Sequence, residues 1–337
     1  MAQQVVRRSI APLASGIGVG AAYGLFLRWG AQLFPGSSIF AVMSIGFIFI
    51  LPVAIGFASV YVIERRQPQP VWLWLLVSTT AVLLVIAGTM LVLWEGAICA
   101  LMFAPIGVTA GVLGGLIAGF WLRSRRGKTS QIPLACVMIL PLLITPWESR
   151  VFARRDLRTV ENTIEIEAPP SAVWTNIERV PRISAQELQP SWSHTIGFPN
   201  PVEATLSREG IGGVRHATFE GGVLFIETID EWEPEHRLGF SIRAQTQQIP
   251  ATTLDQHVTV GGEFFDVLHG EYALETLANG ATRLRLMSRQ RVSTDFNWYA
   301  HLWTDAVMND LQRRILFVVK NRSERDIREG FSPRPAR

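Results

Sequence analysis

The segment Thr282–Val292, TRLRLMSRQRV, alternates without a break: Leu284, Leu286, Ser288, Gln290 and Val292 fall on one side of a strand, and Arg283, Arg285, Met287, Arg289 and Arg291 on the other. Four arginines cannot face a dry core, so the leucine side points inward. Upstream, Glu263–Glu275 meets this strand across Ala278-Asn279-Gly280, a hairpin turn. The same period puts Phe264, Asp266, Leu268, Tyr272 and Leu274 inside, with His269, Glu271 and Glu275 outside, where the glutamates can pair with the arginines. Further back, Val214–Phe219 and Val223–Glu233 flank Gly221-Gly222 as a second hairpin. Pro234 ends that strand, and Arg237–Arg243 makes another.

Before these comes Val160–Ala168 (VENTIEIEA), a strand stopped by Pro169-Pro170-Ser171, then a helix from Ala172 to Ile177 with Val173, Trp174 and Ile177 at helical spacing. The stretch from there to about Gly213 reads as loop. At the other end, Trp298–Lys320 carries Tyr299, Leu302, Trp303, Ala306, Val307, Leu311, Ile315 and Val318 as one apolar stripe. The order strand, helix, antiparallel strands, long helix predicts an α+β helix-grip domain, a curved antiparallel sheet around a long C-terminal helix. The space between such a sheet and helix is a common place for an apolar ligand.

Three stretches resemble a known family. Ile164-Glu165-Ile166-Glu167-Ala168-Pro169-Pro170-Ser171-Ala172-Val173-Trp174 is similar to the first strand and helix of the START/Bet v 1-like superfamily, also called the polyketide cyclase/dehydrase and lipid-transport family. Glu227-Thr228-Ile229-Asp230-Glu231-Trp232-Glu233-Pro234-Glu235-His236-Arg237-Leu238 resembles its mid-domain strand and Glu-Pro turn, and Asn279-Gly280-Ala281-Thr282-Arg283-Leu284 its late hairpin. The resemblance covers about Val160 to Arg325. It implies a cavity for lipids, sterols, polyketides or hormones, in proteins of which some are cyclases and many only bind. Its motifs are structural and carry no catalytic residue across.

The rest of the chain is of another kind. Of 31 Lys+Arg and 28 Asp+Glu in 337 residues, only nine basic and two acidic lie at or before Trp147, a net of +7; the remaining 190 positions hold 22 and 26, a net of −4. A single soluble globule, a disordered chain and a basic nucleic-acid binder are excluded by this split. Residues 1–147 read as an all-α transmembrane bundle of four to five helices, over about 10–34, 39–63, 71–94, 97–122 and 132–147. Residues 148–159 are then a linker, 160–325 the helix-grip domain and 326–337 a disordered tail. Trp29, Trp72, Trp74, Trp94, Trp121 and Trp147 stand near the ends of these runs, as interfacial indoles do.

Basic residues mark one side of the membrane: Arg7 and Arg8, then Arg65 and Arg66, then Arg123, Arg125, Arg126 and Lys128. By the positive-inside rule the N-terminus is cytoplasmic, in an inner or plasma membrane. The fifth run, with Pro133, Pro141 and Pro146, either crosses or lies at the interface. Five spans put the helix-grip domain outside the cytoplasm and four put it inside; Arg150, Arg154, Arg155 and Arg158 argue for the latter. Arg28 is the one charge within the runs, close enough to an end to snorkel, so the helices read as an anchor rather than a transport path. Gly16, Gly20 and Gly24 in the first run, and Gly107, Gly111, Gly115 and Gly119 in the fourth, form four-residue registers for close helix packing. Packing of the first helix on the fourth is the first reading, homo-oligomer formation the second.

The inward set makes Tyr272, Asp266, Leu268, Leu286, Ser288, Gln290, Trp303 and Val307 the candidate ligand-binding residues. His216, alternating with Val214 and Thr218, and Asp266 are candidate bases should the domain be an enzyme. His301, one turn before Asp305, reads as a surface contact. The six histidines are dispersed and the helix-grip half has no cysteine, so neither a metal nor a cofactor is implied. The expected partners are the lipid bilayer and a hydrophobic small molecule, with no nucleic acid. The leading function is a membrane-anchored protein that binds or transfers a lipid, sterol-like compound or polyketide. The alternatives are a cyclase/aromatase-like enzyme and a membrane sensory or assembly module.

Overall fold

The computed structural model describes residues 2–125, 132–148, 156–245 and 259–330, with side chains in the first helix from residue 11 onward. Arg126, Lys128, Arg150, Arg154, Arg155 and the tail from residue 331 lie outside the described residues, as do the side chains of Arg7 and Arg8. The chain divides into two compact units, residues 1–154 with 294–296, and residues 155–293 with 297–337.

The first unit is helical: α1 (Ala2–Leu33), α2 (Leu51–Arg66, entered through a π-helical turn at Gly46–Ile50), α3 (Val71–Leu91), α4 (Ala97–Ser124) and α5 (Ile132–Glu148). Among the described residues, three helical stretches are long and apolar enough to span a membrane: Gly46–Arg66, Val71–Leu91 and Ala97–Ser124, while Pro133–Glu148 is apolar but shorter. The run expected at 10–34 is covered as far as Leu33 by α1, which is not one of the three.

The glycine registers are used, but not for packing α1 on α4. α2 stands between them. A Cβ on Gly16 would lie 2.6 Å from the Ser59 carbonyl oxygen of α2, and one on Gly20 would lie 2.9 Å from that of Ile55. The α4 register faces α3 instead, since Cβ atoms on Gly111, Gly115 and Gly119 would strike Val82, Ser78 and Trp74. Gly107 would strike only Phe103 of its own helix. The closest backbone approach joins α2 to α4, where a Cβ on Gly56 would sit 1.8 Å from the Gly111 oxygen. Small residues on α2 thus admit α1 on one side and α4 on the other, and packing replaces the hydrophobic driving force that lipid cannot supply.

Among the described residues, the charges of α1, α2 and α4 gather toward the helix ends. Arg28 pairs with Glu95 at 2.7 Å and donates to the Trp94 carbonyl. Glu64, at the end of α2, accepts from the Trp74 indole at 3.0 Å, the Gln69 N–H and Arg123 of α4, whose guanidinium lies 4.1 Å from the Trp74 ring centre.

The second unit is a seven-stranded antiparallel half-barrel with a long helix. Its elements are β1 (Asp156–Ile166), α6 (Pro170–Glu178), α7 (Trp192–Thr195), β2 (Pro201–Leu206), β3 (Val214–Phe219), β4 (Leu224–Glu233), β5 (Arg237–Gln245), β6 (Phe265–Thr276), β7 (Thr282–Val292) and α8 (Asn297–Arg328). The sheet order is β1-β7-β6-β5-β4-β3-β2. Consecutive strands form a meander, and only β1 leaves the sequential order to close beside β7.

Burial alternates strictly along β7, with Leu284, Leu286, Ser288, Gln290 and Val292 inside and the four arginines outside. Arg283 bridges Glu275 of β6 and Glu165 of β1 at 2.9 Å each, whereas Glu271 pairs with Arg237. Bulges in β4 (between Ile229 and Glu231) and β6 (between Val267 and His269) bend the sheet. At Gly270 a Cβ would fall 2.5 Å from the Phe240 ring, so the absent side chain lets that ring lie across the curve. Ile166, Val173, Trp174, Ile177, Ile229, Leu238, Phe240, Leu284, Leu286, Leu316 and Val319 form the core under α8.

Five readings of this unit need correction. The supposed loop before Gly213 contains α7 and the edge strand β2, the latter held by Ala204 and Val202 accepting from Val180 and Ile183 as well as by β3. β1 begins at Asp156, inside the expected linker, and α8 runs on to Arg328. In β6 the extra residue Leu268 slips the register, so Phe265, Val267, Gly270, Tyr272 and Leu274 are the inward set, and Asp266 stands opposite outward Arg291. In β3 His216 is exposed and Arg215 and Ala217 are buried, the reverse of an inward His216.

Candidate functional site

Two polar groups occupy the space between the concave face of the sheet and α8. One fastens the helix. Gln312, fully enclosed, donates from Nε2 to the Ser288 hydroxyl and the Val160 carbonyl, and its Oε1 accepts from Asn162 of β1 at 2.8 Å. Asn162 also donates to Asn309, and Gln290 donates to Asp305 at 3.0 Å. Asp305 in turn pairs with Arg158. These bonds tie α8 to β1 and β7 and satisfy most of the donors buried there. Two enclosed atoms are left without a partner, the acceptor Gln290 Oε1 and the donor Arg158 Nε.

The other group lies further across the sheet. Arg215 of β3 and Glu227 of β4 are directly opposed in the hairpin, and their side chains pair at 2.9 Å while only 4% and 9% exposed. The guanidinium lies 5.4 Å from the Phe240 ring centre and 5.9 Å from that of Tyr272, within cation–π range. Burial pushes the Glu227 carboxyl up, and the Arg215 charge pulls it back only in part. Burial likewise raises the Tyr272 phenol against the pull of Arg215. Arg215 Nε is enclosed without a partner. The arrangement is a neutral pair with a spare donor at Nε, set among the Phe240 and Tyr272 rings, with the Tyr272 hydroxyl beside the guanidinium.

Tyr272, Leu286, Ser288 and Gln290 of the expected set are brought onto the inner face. Trp303 and Val307 are half-buried on α8. Leu268 is the bulge residue and Asp266 lies in register with Arg291, its carboxyl raised by partial burial and lowered in part by that arginine. His301 lies 3.3 Å from Asp156, and burial followed by the Arg158 charge lowers its pKa. Among the described residues there is no cluster of three or more metal-ligating side chains.

Sequence reasoning missed Arg215, Glu227 and Gln312. A signal existed for the first two. Arg215 alternates with Ala217 and Phe219, a more apolar set than Val214, His216 and Thr218, and the hairpin turn places Glu227 opposite. Gln312 gave none, because a glutamine one residue past an apolar helix position looks solvent-facing.

No family model matches the sequence, and no curated protein matches it. Several solved structures are similar over the C-terminal half. DynU16, a putative protein in the dynemicin biosynthetic locus, is 21% identical over 52% of this chain and 48% of that one, with a TM-score of 0.29, so the chain spans about half its length. The Zhui aromatase/cyclase from Streptomyces sp. R1128 is 16% identical over 52% of this chain and 98% of that one, with a TM-score of 0.32. A conserved protein from Geobacillus kaustophilus is 11% identical over 50% and 97%, with a TM-score of 0.33.

Proposed function

We propose that the chain is a membrane-anchored binding or transfer protein for a hydrophobic ligand (a lipid, sterol-like compound or polyketide) held between the concave sheet and α8. The observation that carries this reading is the Arg215–Glu227 pair on the inner face, with its unused Nε donor. An ion pair buried this deeply stabilises a fold less than apolar residues of the same volume would, so stability alone is a weak reason for it. A neutral donor–acceptor pair flanked by aromatic rings is suited to orient a single hydroxyl or carbonyl on an apolar molecule. Anchoring places the binder beside the bilayer, where a ligand of low aqueous solubility accumulates. The cyclase/aromatase-like alternative is less well supported, because neither His216 nor Asp266 lies on the inner face.

The test is native mass spectrometry of the full chain released from lipid nanodiscs. Wild type is expected to retain an apolar ligand of defined mass, and the Arg215→Met/Glu227→Leu double variant to lose it. Retention of the same ligand by the double variant would sink the anchor assignment. An empty wild type that also takes up no fluorescent lipid would sink the function. The reading also places the N-terminus in the cytoplasm of an inner or plasma-membrane protein and, with five spans, the helix-grip domain outside. An inactive alkaline-phosphatase fusion after Val160 would overturn that topology.

A further inference from the structure

Arg314 lies near the middle of α8 and is 5% exposed, yet its Nε has no hydrogen-bond partner. A guanidinium carries five N–H donors and keeps its charge at any ordinary pH, so enclosing one without an acceptor is costly. Two carboxylates act on it, Asp310 one turn earlier and Glu220 at the tip of the β3–β4 hairpin. Both also have other partners. Asp310 Oδ2 accepts from the Ser191 and Ser193 hydroxyls. Glu220 accepts from the backbone N–H and side-chain amide of Asn200 at 3.0 and 3.1 Å, and its half-exposed carboxylate is screened by water. Burial accordingly lowers the Arg314 pKa, and the two carboxylates offset this only in part.

The surroundings suggest what the missing acceptor is. Trp303, Val307, Asp310 and Arg314 recur at i, i+4, i+7 and i+11 and so share one face of α8. That face is not the one carrying Asp305, Gln312 and Leu316 toward β1 and β7. Ser191 and Ser193, beside α7, close over its Asp310 end. Trp303 and Val307 therefore lead, past Asp310, to a guanidinium whose enclosed Nε is unpaired. The Arg215–Glu227 pair is neutral overall and suits an uncharged oxygen, whereas Arg314 offers net charge and a planar fork that matches a carboxylate or phosphate.

We infer that Arg314 receives an oxyanion, a carboxylate or a phosphate, so that the ligand of this protein is an acidic amphiphile with its tail along Trp303 and Val307. This rests on the hydrophobic-ligand reading above. The experiment compares binding of labelled oleate and of oleyl alcohol to the full chain in phosphatidylcholine nanodiscs, corrected with empty discs, for wild type, Arg314→Met and Arg314→Lys. Wild type is expected to bind oleate at least tenfold more tightly than oleyl alcohol, in line with a charge-assisted hydrogen bond. Arg314→Met is expected to abolish that preference while keeping the alcohol, and Arg314→Lys to retain part of it. Displacement of oleate by millimolar inorganic phosphate would show that the free anion suffices; failure to displace it, with the Arg314 dependence intact, would assign the site to the amphiphile.

Equal affinity of wild type for oleate and oleyl alcohol, or undiminished oleate preference in Arg314→Met, overturns the inference and leaves the hydrophobic-ligand reading standing. Binding of neither probe overturns both. If Arg314→Met does not fold, the wild-type preference and its reduction in Arg314→Lys decide.

Discussion

Gln312 of α8 donates to the Ser288 hydroxyl of β7 at 2.9 Å, in the interior where an apolar helix stripe was expected to meet the inward face of the strand. The same Nε2 donates to the Val160 carbonyl at 3.0 Å, so one amide joins α8 to both closing strands of the sheet. Truncation would take that partner from the Ser288 hydroxyl and leave Asn162 with Asn309 and Arg313 alone, as well as opening a cavity. Gln312→Ala is expected to destabilise the helix-grip unit by about 2–4 kcal/mol, from lost buried hydrogen bonds plus lost volume. Denaturant unfolding followed by circular dichroism checks this. A loss under about 0.5 kcal/mol would show that the network is not holding the helix.

Close packing of α2 on α4 gives a contrast within one helical unit. A Cβ on Gly56 would lie 1.8 Å from the Gly111 oxygen, and one on Gly114 would lie 2.0 Å from the Val53 oxygen; at Gly18 there is nothing within 4 Å. Backbone cannot yield as a flexible side chain can. Gly56→Ala and Gly114→Ala should therefore lower the melting temperature of the detergent-solubilised chain by several degrees, while Gly18→Ala leaves it unchanged or slightly raised. A thermal-shift assay separates the outcomes.

The glycine registers were legible as packing devices because spacing alone puts them on one face, but their partners were not. Which helix a face meets depends on the order of helices around the bundle, and nothing in the spacing of α1 or α4 shows that α2 intervenes. The sheet shows the same boundary. β7 was readable residue by residue because its alternation is unbroken, whereas one inserted residue at Leu268 moved Asp266 from the inner set to the outer. A bulge costs the pattern one position and is signalled only by a nearby glycine, here Gly270. The inward placement was legible along β7 and at Tyr272. Arg215 and Arg314 were missed because buried arginines contradict the expectation that charge marks the outside.

Acid should weaken the clasp between α8 and the segment after α6. Arg322 donates to both carboxylate oxygens of Glu187, at 2.6 and 3.1 Å, and chiefly through that bond holds the Glu187 pKa down at about 2. A carboxyl lowered on folding contributes stability that is present above its ordinary value of 4.5 and is lost as pH falls toward 2. Glu187→Gln should lower stability at pH 7 and flatten the decline between about pH 4.5 and 2. Melting temperatures across that range, for variant and wild type, give the comparison; parallel curves would remove Glu187 from the acid response.

The buried pair of Arg215 and Glu227 should be costly to break and nearly free to replace. Either single variant, Arg215→Met or Glu227→Leu, leaves an uncompensated charge in the apolar interior, which costs about 3–5 kcal/mol. With both replaced, no charge remains to desolvate, the two side chains pack against Phe240 and Tyr272, and stability should return to within about 1 kcal/mol of wild type or exceed it. A double-mutant cycle measured by denaturant unfolding at pH 7 reads the coupling directly. Raising the acidity should rescue Arg215→Met but not Glu227→Leu. With Arg215 gone nothing offsets the burial that raises the Glu227 carboxyl, so it takes up a proton readily, whereas an arginine left alone cannot lose one. If the double variant is both as stable as wild type and still occupied by ligand, the pair is a packing feature. If it is stable and empty, the pair serves binding, since the fold no longer needs it.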